Sequence, residues 1–146
     1  METERYIIDA SVIVKWFIEE SESDKAEAIR VAFIKKELEL ICPFLLQFEV
    51  LNALKYSGLF NKQDLVIAAE ALENYPFTYL SIKGDEQSKM VEIAMDHDFS
   101  IYDSTYLSLA LHENARLITA DEKNIKKLPA SLKSIITSLS SFDGIS

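Results

Sequence analysis

The feature that most constrains the fold is the alternation of short, apolar, β-branched runs with longer segments of helical periodicity. Five such runs predict strands, and they cover residues 6–8, 39–42, 77–82, 116–119 and, less distinctly, 134–137. Short buried strands separated by helices are typical of a parallel sheet with helices on both faces. We therefore predict an α/β domain of three layers, α/β/α, around a central, mainly parallel five-stranded sheet.

Helical periodicity occupies the segments between these runs. The predicted helices cover residues 11–17, 24–37, 44–57, 62–74, 85–97, 103–113 and 122–128. Asn61 is a favoured N-cap for the fourth helix, and Gly58 follows the end of the third. A chain of 146 residues that is 49% hydrophobic and 27% charged, without repeats or linker-like stretches, fits one domain over residues 1–146.

Several classes of protein are disfavoured by what the sequence lacks. No apolar run reaches the roughly 18 to 20 residues of a transmembrane helix, and the charged residues 1–5 precede no signal-peptide core. We therefore expect a cytoplasmic protein with no membrane partner. The single cysteine, Cys42, cannot form an internal disulfide and is expected in the core. The three glycines are isolated, so no glycine-rich phosphate loop exists.

The net charge of -9 disfavours a protein that coats nucleic acid, because lysine and arginine normally bind the phosphates. An enzyme that holds divalent cations is a different case, since clustered carboxylates bind the ions and the ions supply positive charge. One segment, residues 123–133, carries four lysines and no acid: Lys123, Lys126, Lys127 and Lys133. This run can steer a phosphate backbone, although a solvated helix face is its more common meaning.

Two aspartates stand at the ends of predicted strands. Asp9 closes the first strand, and Asp121 comes just after the fourth. In parallel sheets a ligand crevice forms beyond the carboxyl ends of the strands, where the strand order reverses. Each aspartate can equally be the N-cap of the helix that follows, and taken alone each is better explained as a cap.

Two further acids, Glu49 and Asp103, lie on mostly apolar faces of predicted helices. Burying a lone carboxylate costs several kcal/mol unless a cation or hydrogen bonds compensate it. Glu49 can also reach water at the edge of its apolar face, and Asp103 can cap its helix. A cluster that joins these two acids to Asp9 and Asp121 explains all four positions at once, and such a cluster stays ionised only around a cation.

Oxygen ligands without a cysteine and histidine set indicate Mg²⁺ or Mn²⁺ rather than zinc. His97 and His112 have no partners at metal-ligand spacing. We expect both histidines to have ordinary structural or surface roles.

Four stretches resemble the successive motifs of PIN-domain nucleases, and they occur in the order of that family. They are IDASV at 8–12, FEVLNAL at 48–54, YDSTYLSLA at 102–110 and LITAD at 117–121. The resemblance implies that the four acids are the catalytic, metal-binding residues: Asp9, Glu49, Asp103 and Asp121. It also implies polar supporting roles for three neighbours: Ser11, Asn52 and Thr119.

The resemblance extends in particular to the VapC-type toxins of this family. It implies a Mg²⁺- or Mn²⁺-dependent endoribonuclease that hydrolyses RNA to leave a 5′-phosphate and a 3′-hydroxyl. The implied partners are an RNA substrate, a cognate antitoxin in a groove near the active site, and a second copy in a homodimer. Trp16, Phe17, Tyr56 and Phe60 can line such a surface, although large aromatic residues are more often core.

Two other functions stay open on the sequence. A non-catalytic PIN-fold protein for binding or assembly would use the same acids only for folding. A receiver-like phosphoacceptor module would need paired acids after the first strand and an aspartate after the third. Here Asp9 stands alone, and the third predicted strand runs into Lys83 and Gly84, so the receiver is the weaker alternative.

Overall fold

The computed structural model describes residues 3–144 and is built on one five-stranded sheet. The strands are β1 (Glu4–Ile8), β2 (Leu38–Pro43), β3 (Thr78–Leu80), β4 (Arg116–Thr119) and β5 (Ile136–Ser138). Every neighbouring pair is parallel, and the order across the sheet is β3-β2-β1-β4-β5. The predicted three-layer α/β/α fold is confirmed, with a sheet that is parallel throughout.

Eight α-helices connect and cover these strands within residues 3–144. They are α1 (Ala10–Val14), α2 (Ser23–Ile34), α3 (Leu46–Tyr56), α4 (Lys62–Asn74), α5 (Asp85–His97), α6 (Ile101–Glu113), α7 (Glu122–Lys126) and α8 (Ala130–Lys133). Helix α6 packs against β1, β2 and β4, while α2 packs against β2 and α1 against α3 and β4. No helix in this part of the chain is both long and apolar enough to cross a bilayer.

The edges of the sheet differ from the prediction. Strand β3 is shorter than the predicted 77–82, because it pairs only with β2 and the pairing ends where Leu80 lies beside Pro43. Strand β5 begins later than predicted, because Ser134 is the C-cap of the unpredicted helix α8. A helix of four residues is too short to produce a recognisable periodicity.

The central strands carry the core. The side chains of Ile7, Ile8 and Ile41 are fully buried, and Cys42 is buried beside them as predicted. Burial raises the pKa of the Cys42 thiol to about 12, so it stays protonated and inert at neutral pH.

Two predicted helix boundaries are confirmed. The Asn61 side chain accepts a hydrogen bond from the Asp64 backbone N–H at 2.8 Å, and Asp64 Oδ2 accepts from the Asn61 N–H at 3.0 Å. This reciprocal pair caps α4. Gly58 follows α3 with φ of +77°, in the left-handed region that favours glycine.

The aromatic residues considered for a binding surface divide into two groups. Trp16, Phe17 and Phe60 are half-buried and pack against the core. Trp16 also donates from Nε1 to the Ala26 carbonyl at 2.9 Å. Tyr56 is the exception, with 74% of its surface exposed at the end of α3.

Candidate active site

The strand order reverses at β1. The chain proceeds from β1 to β2 and β3 on one side of the sheet and then to β4 and β5 on the other. Because all strands are parallel, their carboxyl ends share one edge, and a ligand crevice is expected between β1 and β4. Asp9 directly follows β1, Thr119 ends β4, and Asp121 comes two residues later.

Asp9 is held by two hydroxyl groups. Its Oδ2 accepts hydrogen bonds from Ser11 Oγ at 2.6 Å and from Thr119 Oγ1 at 2.8 Å. The residue occupies the N-cap position of α1, yet its side chain makes no capping hydrogen bond. The carboxylate is therefore held by one hydroxyl from the first turn of α1 and one from the end of β4, and not by the backbone N–H groups of the helix.

The loop between β4 and α7 is fastened to the same hydroxyls. Ser11 Oγ accepts from the Ala120 N–H at 2.9 Å, and Thr119 Oγ1 accepts from the Asp121 N–H at 3.1 Å. Asp121 does cap its helix, because Oδ1 accepts from the Asn124 N–H at 3.1 Å. The capping interpretation is thus right for Asp121 and does not exclude a second role for its other oxygen.

Glu49 reaches the site from α3. Its Oε1 accepts a hydrogen bond from the phenol of Tyr106 on α6 at 2.6 Å, and Tyr106 is only 1% exposed. Burial raises the pKa of Glu49 to about 7; the Tyr106 hydrogen bond opposes this shift, and the charges of Asp9 and Asp103 add to it. Burial and the charge of Glu49 also raise the pKa of the Tyr106 phenol, which therefore remains a donor.

Asp103 lies in the first turn of α6 and does not cap that helix. Ser100 provides the cap, because its Oγ accepts from the Asp103 N–H at 2.9 Å. The Asp103 side chain instead accepts from Asn124 Nδ2 through Oδ2 at 2.9 Å. Of the two positions expected for Asp103, the structure has the inward one.

Electrostatic interactions link the four acids into one cluster. Burial raises the pKa of Asp9; hydrogen bonds from Ser11 and Thr119 oppose the shift, and the charges of Asp103 and Asp121 reinforce it. The charges of Asp9 and Asp103 likewise raise the pKa of Glu49. The four carboxylates thus lie at one edge of the sheet, as the strand-end argument requires.

The cluster lacks a compensating cation within residues 3–144. Each acid has one oxygen held by a neutral donor, and the other oxygen accepts no hydrogen bond in that part of the chain. None of the ion pairs there involves any of the four acids. Like charges this close destabilise one another unless a positive group is added.

The donor set fits a hard divalent ion, although the arrangement is not a closed cage. Among the described residues no three acid, histidine or cysteine side chains are already disposed to hold a metal. Mg²⁺ does not need such a cage, since it usually keeps several waters and binds through one or two carboxylates. Four unpaired oxygens at one edge are suited to this mode of binding.

A small cavity of about 20 Å³ lies beside two of the four acids, Asp9 and Asp103. Its polar wall is formed by Asp9, Asp103, Tyr106, Thr119 and Asn124, and its floor is apolar. A cavity needs roughly 10 to 15 Å³ to hold one water. The space therefore accepts a water molecule or an ion but not a nucleobase, which has to remain outside.

The remaining predicted residues lie elsewhere. Asn52 is exposed on α3, where it lines a groove with α4, and within residues 3–144 it makes no hydrogen bond to the acids. The exposed His112 has its Nε2 3.0 Å from Glu86 Oε1, and neither His112 nor His97 lines the acid cavity. These positions agree with the ordinary roles expected for both histidines.

The sequence analysis missed two residues of the site, Tyr106 and Asn124. Tyr106 shares a helix face with Asp103, but no local pattern indicates that its hydroxyl reaches Glu49 on α3. Asn124 is the third residue after Asp121, a position that predicts a backbone capping bond but not a side-chain bond to α6.

The structure belongs to the class of parallel α/β proteins, in which ligands bind in the crevice at the carboxyl ends of the strands, where the strand order reverses. The family model described as PIN domain matches residues 6–130. The chain belongs to the PIN domain family, as its four motifs predicted. No curated protein sequence matches the chain significantly.

Solved structures share the fold at low sequence identity. A Pyrobaculum aerophilum protein is 19% identical with a TM-score of 0.65, and the match covers 94% of this chain and 90% of that one. A chain of a toxin–antitoxin complex from Klebsiella pneumoniae is 15% identical with a TM-score of 0.66, and the match covers 94% of this chain and 99% of that one. The Mycobacterium tuberculosis toxin VapC20, which cleaves the sarcin-ricin loop, is 12% identical with a TM-score of 0.60, and the match covers 88% of this chain and 93% of that one.

Proposed function

We propose that this PIN-domain protein is a Mg²⁺- or Mn²⁺-dependent endoribonuclease and the toxin of a toxin–antitoxin pair. One observation carries the proposal: four carboxylates meet at the switch point, each with a free oxygen, and no cation of residues 3–144 pairs with them. Membership of the PIN family supports a nuclease. The similar fold of a toxin that cleaves the sarcin-ricin loop supports RNA as the substrate.

The acids have separate roles in this proposal. Asp9 and Asp103 would hold the main ion, because both line the small cavity. Glu49 would bind that ion directly or through water, and Asp121 would complete the site or hold a second ion. When bound, Mg²⁺ or Mn²⁺ supplies Lewis-acid activation of water and positive charge for the phosphate.

The surrounding residues orient these acids. Ser11 and Thr119 bind one oxygen of Asp9, which leaves the other without a donor within residues 3–144. Tyr106 does the same for Glu49. Water attacks the phosphorus in line and loses a proton to solvent, its oxygen joins the phosphorus, and the bond to the 3′-oxygen breaks as that oxygen takes up a proton from solvent. The products are a 5′-phosphate and a 3′-hydroxyl.

The direct test is incubation of the purified chain with a mixture of structured and unstructured RNA. We expect cleavage with Mg²⁺ or Mn²⁺ and none after addition of EDTA. Sequencing of the fragment ends should find 5′-phosphates. A non-catalytic PIN protein, the main alternative, would leave every RNA intact under all these conditions, and a receiver-like module would instead be labelled by a phosphodonor.

An antitoxin is the second partner that we propose. The similarity of the fold to a chain of a toxin–antitoxin complex supports it. A groove between α3 and α4 offers a surface, with Phe48, Leu51, Leu65 and Val66 on its walls and lysines at its rim. Phe48 is 71% exposed and precedes Glu49, so a segment bound there would pass close to the acids.

Val66→Glu should weaken binding of the antitoxin encoded beside this chain by at least about tenfold, because a charge would enter an apolar contact. Ile67→Glu is the matched control, since Ile67 is exposed on the same helix but does not line the groove. Titration calorimetry measures both. If Val66→Glu and Ile67→Glu bind the antitoxin with equal affinity, the antitoxin binds outside this groove.

The RNA target, the homodimer and the cytoplasmic location stay predictions.

A further inference from the structure

Asn124 donates hydrogen bonds to the carboxylates of two acids of the cluster, and these acids come from different parts of the fold. Its Nδ2 donates to Asp103 Oδ2 on α6 at 2.9 Å. Its backbone N–H donates to Asp121 Oδ1 in the loop after β4 at 3.1 Å. The side chain also lines the small cavity beside Asp9. Neither the motifs nor the spacing of the acids predicted this contact.

We propose that Asn124 is a positioning residue that sets the separation of Asp103 and Asp121 and turns their free oxygens toward the ion. This inference rests on the proposed function and names a residue that tunes the same site. A neutral amide suits this task, because it binds one oxygen of Asp103 without neutralising the carboxylate. A lysine there would compete with the ion, and an aspartate would add a repelling charge.

A purely structural role for the side chain explains less. The cap of α7 is made by the backbone N–H of Asn124, which any residue except proline would supply at this position. The amide group adds nothing to that cap, and its partner lies 21 residues away along the chain. What the amide does is tether α7 to the acid on α6.

The test compares Asn124→Ala with the unaltered full-length chain in calorimetric titrations with Mn²⁺ alone. We expect the dissociation constant to rise by about 10- to 100-fold, the usual cost of losing a hydrogen bond that orients a metal ligand. Asn74→Ala, an exposed asparagine at the end of α4, is the matched control and should bind like the unaltered chain. An Asn124→Ala constant within twofold of the unaltered value overturns the proposal.

Asn124→Asp provides a second measurement, which distinguishes a positioning residue from a purely structural tether. It keeps the size and the backbone cap but sets a carboxylate against Asp103. We expect a lower melting temperature without metal, and a larger rise on adding Mn²⁺ than the unaltered chain shows. If the melting temperature of Asn124→Asp is lowered and Mn²⁺ does not restore it, Asn124 is a structural tether only.

Different results would overturn the proposed function and the role of Asn124. Absence of site-specific Mn²⁺ heat in the unaltered chain overturns the proposed function, and the role of Asn124 with it. Normal Mn²⁺ binding in both the unaltered chain and Asn124→Ala overturns the role of Asn124 alone.

Discussion

Asp9→Asn should abolish metal-dependent RNA cleavage and leave the protein folded. The loss should exceed about a hundredfold, because the disruption of an outer hydrogen bond to a metal ligand already costs 10- to 100-fold. The amide oxygen of asparagine can still accept from Ser11 and Thr119, so both hydrogen bonds that now hold Asp9 are preserved. What disappears is the negative charge and one free carboxylate oxygen.

The fold should tolerate this change or gain from it. Burial and the neighbouring acids raise the pKa of Asp9, which means that its charge is unfavourable in the metal-free protein. Removal of that charge should therefore keep or raise the melting temperature in EDTA. Asp96→Asn is the matched control, since Asp96 is an exposed aspartate on α5 and should keep full activity.

Cleavage rates, melting temperatures and Mn²⁺ titrations together decide the role of Asp9. Full activity in Asp9→Asn would remove the residue from the mechanism. An unfolded variant would show instead that the carboxylate serves the fold. Loss of activity with unchanged Mn²⁺ affinity would move the ion away from Asp9 and onto the other acids.

The fold was predictable because its main signals are local. Strands β1 and β2 contain short runs of buried apolar residues, at residues 7–8 and 40–42, and the Asn61 cap and Gly58 mark helix ends. The edge strand β3 was less predictable. Its length depends on where a single neighbour stops pairing, which is a property of the sheet and not of the segment.

The site was predictable only as far as the acids themselves. Asp9 and Asp121 have the same local context, a strand end before a helix, yet only Asp121 caps its helix. The Asp9 side chain is instead held by Ser11 and by the hydroxyl of Thr119, which lies on a different strand. Contacts such as that of Tyr106 with Glu49 join residues far apart in sequence, so no local pattern contains them.

Glu49→Gln should make the metal-free protein more stable at pH 8 although it removes cleavage activity. Burial raises the pKa of Glu49 from the ordinary 4.5 to about 7. The folded state therefore binds a proton more tightly than the unfolded state does. The stability linked to that proton is fully present below about pH 4.5 and is lost as the pH rises through about 7.

Glutamine carries no such charge, and its amide oxygen can still accept from Tyr106. The free energy of unfolding of Glu49→Gln should exceed that of the unaltered chain only slightly near pH 5 and by about 1–3 kcal/mol at pH 8. This range allows for solvent screening, because Glu49 is partly exposed. Urea unfolding in EDTA across this pH range measures it. Glu70→Gln, on the exposed face of α4, should show no such dependence on pH.

The stability advantage of Glu49→Gln should shrink when Mn²⁺ is added. An ion that binds only the folded state stabilises it by about 2.7 kcal/mol at a hundred times its dissociation constant, and Glu49→Gln should bind that ion more weakly. If the Glu49 carboxylate served only folding, Glu49→Gln would lower the stability of the protein both in EDTA and with Mn²⁺. A carboxylate kept for an ion destabilises the empty site and stabilises the loaded one, so a variant less stable than the unaltered chain in EDTA at pH 8 would contradict the proposal.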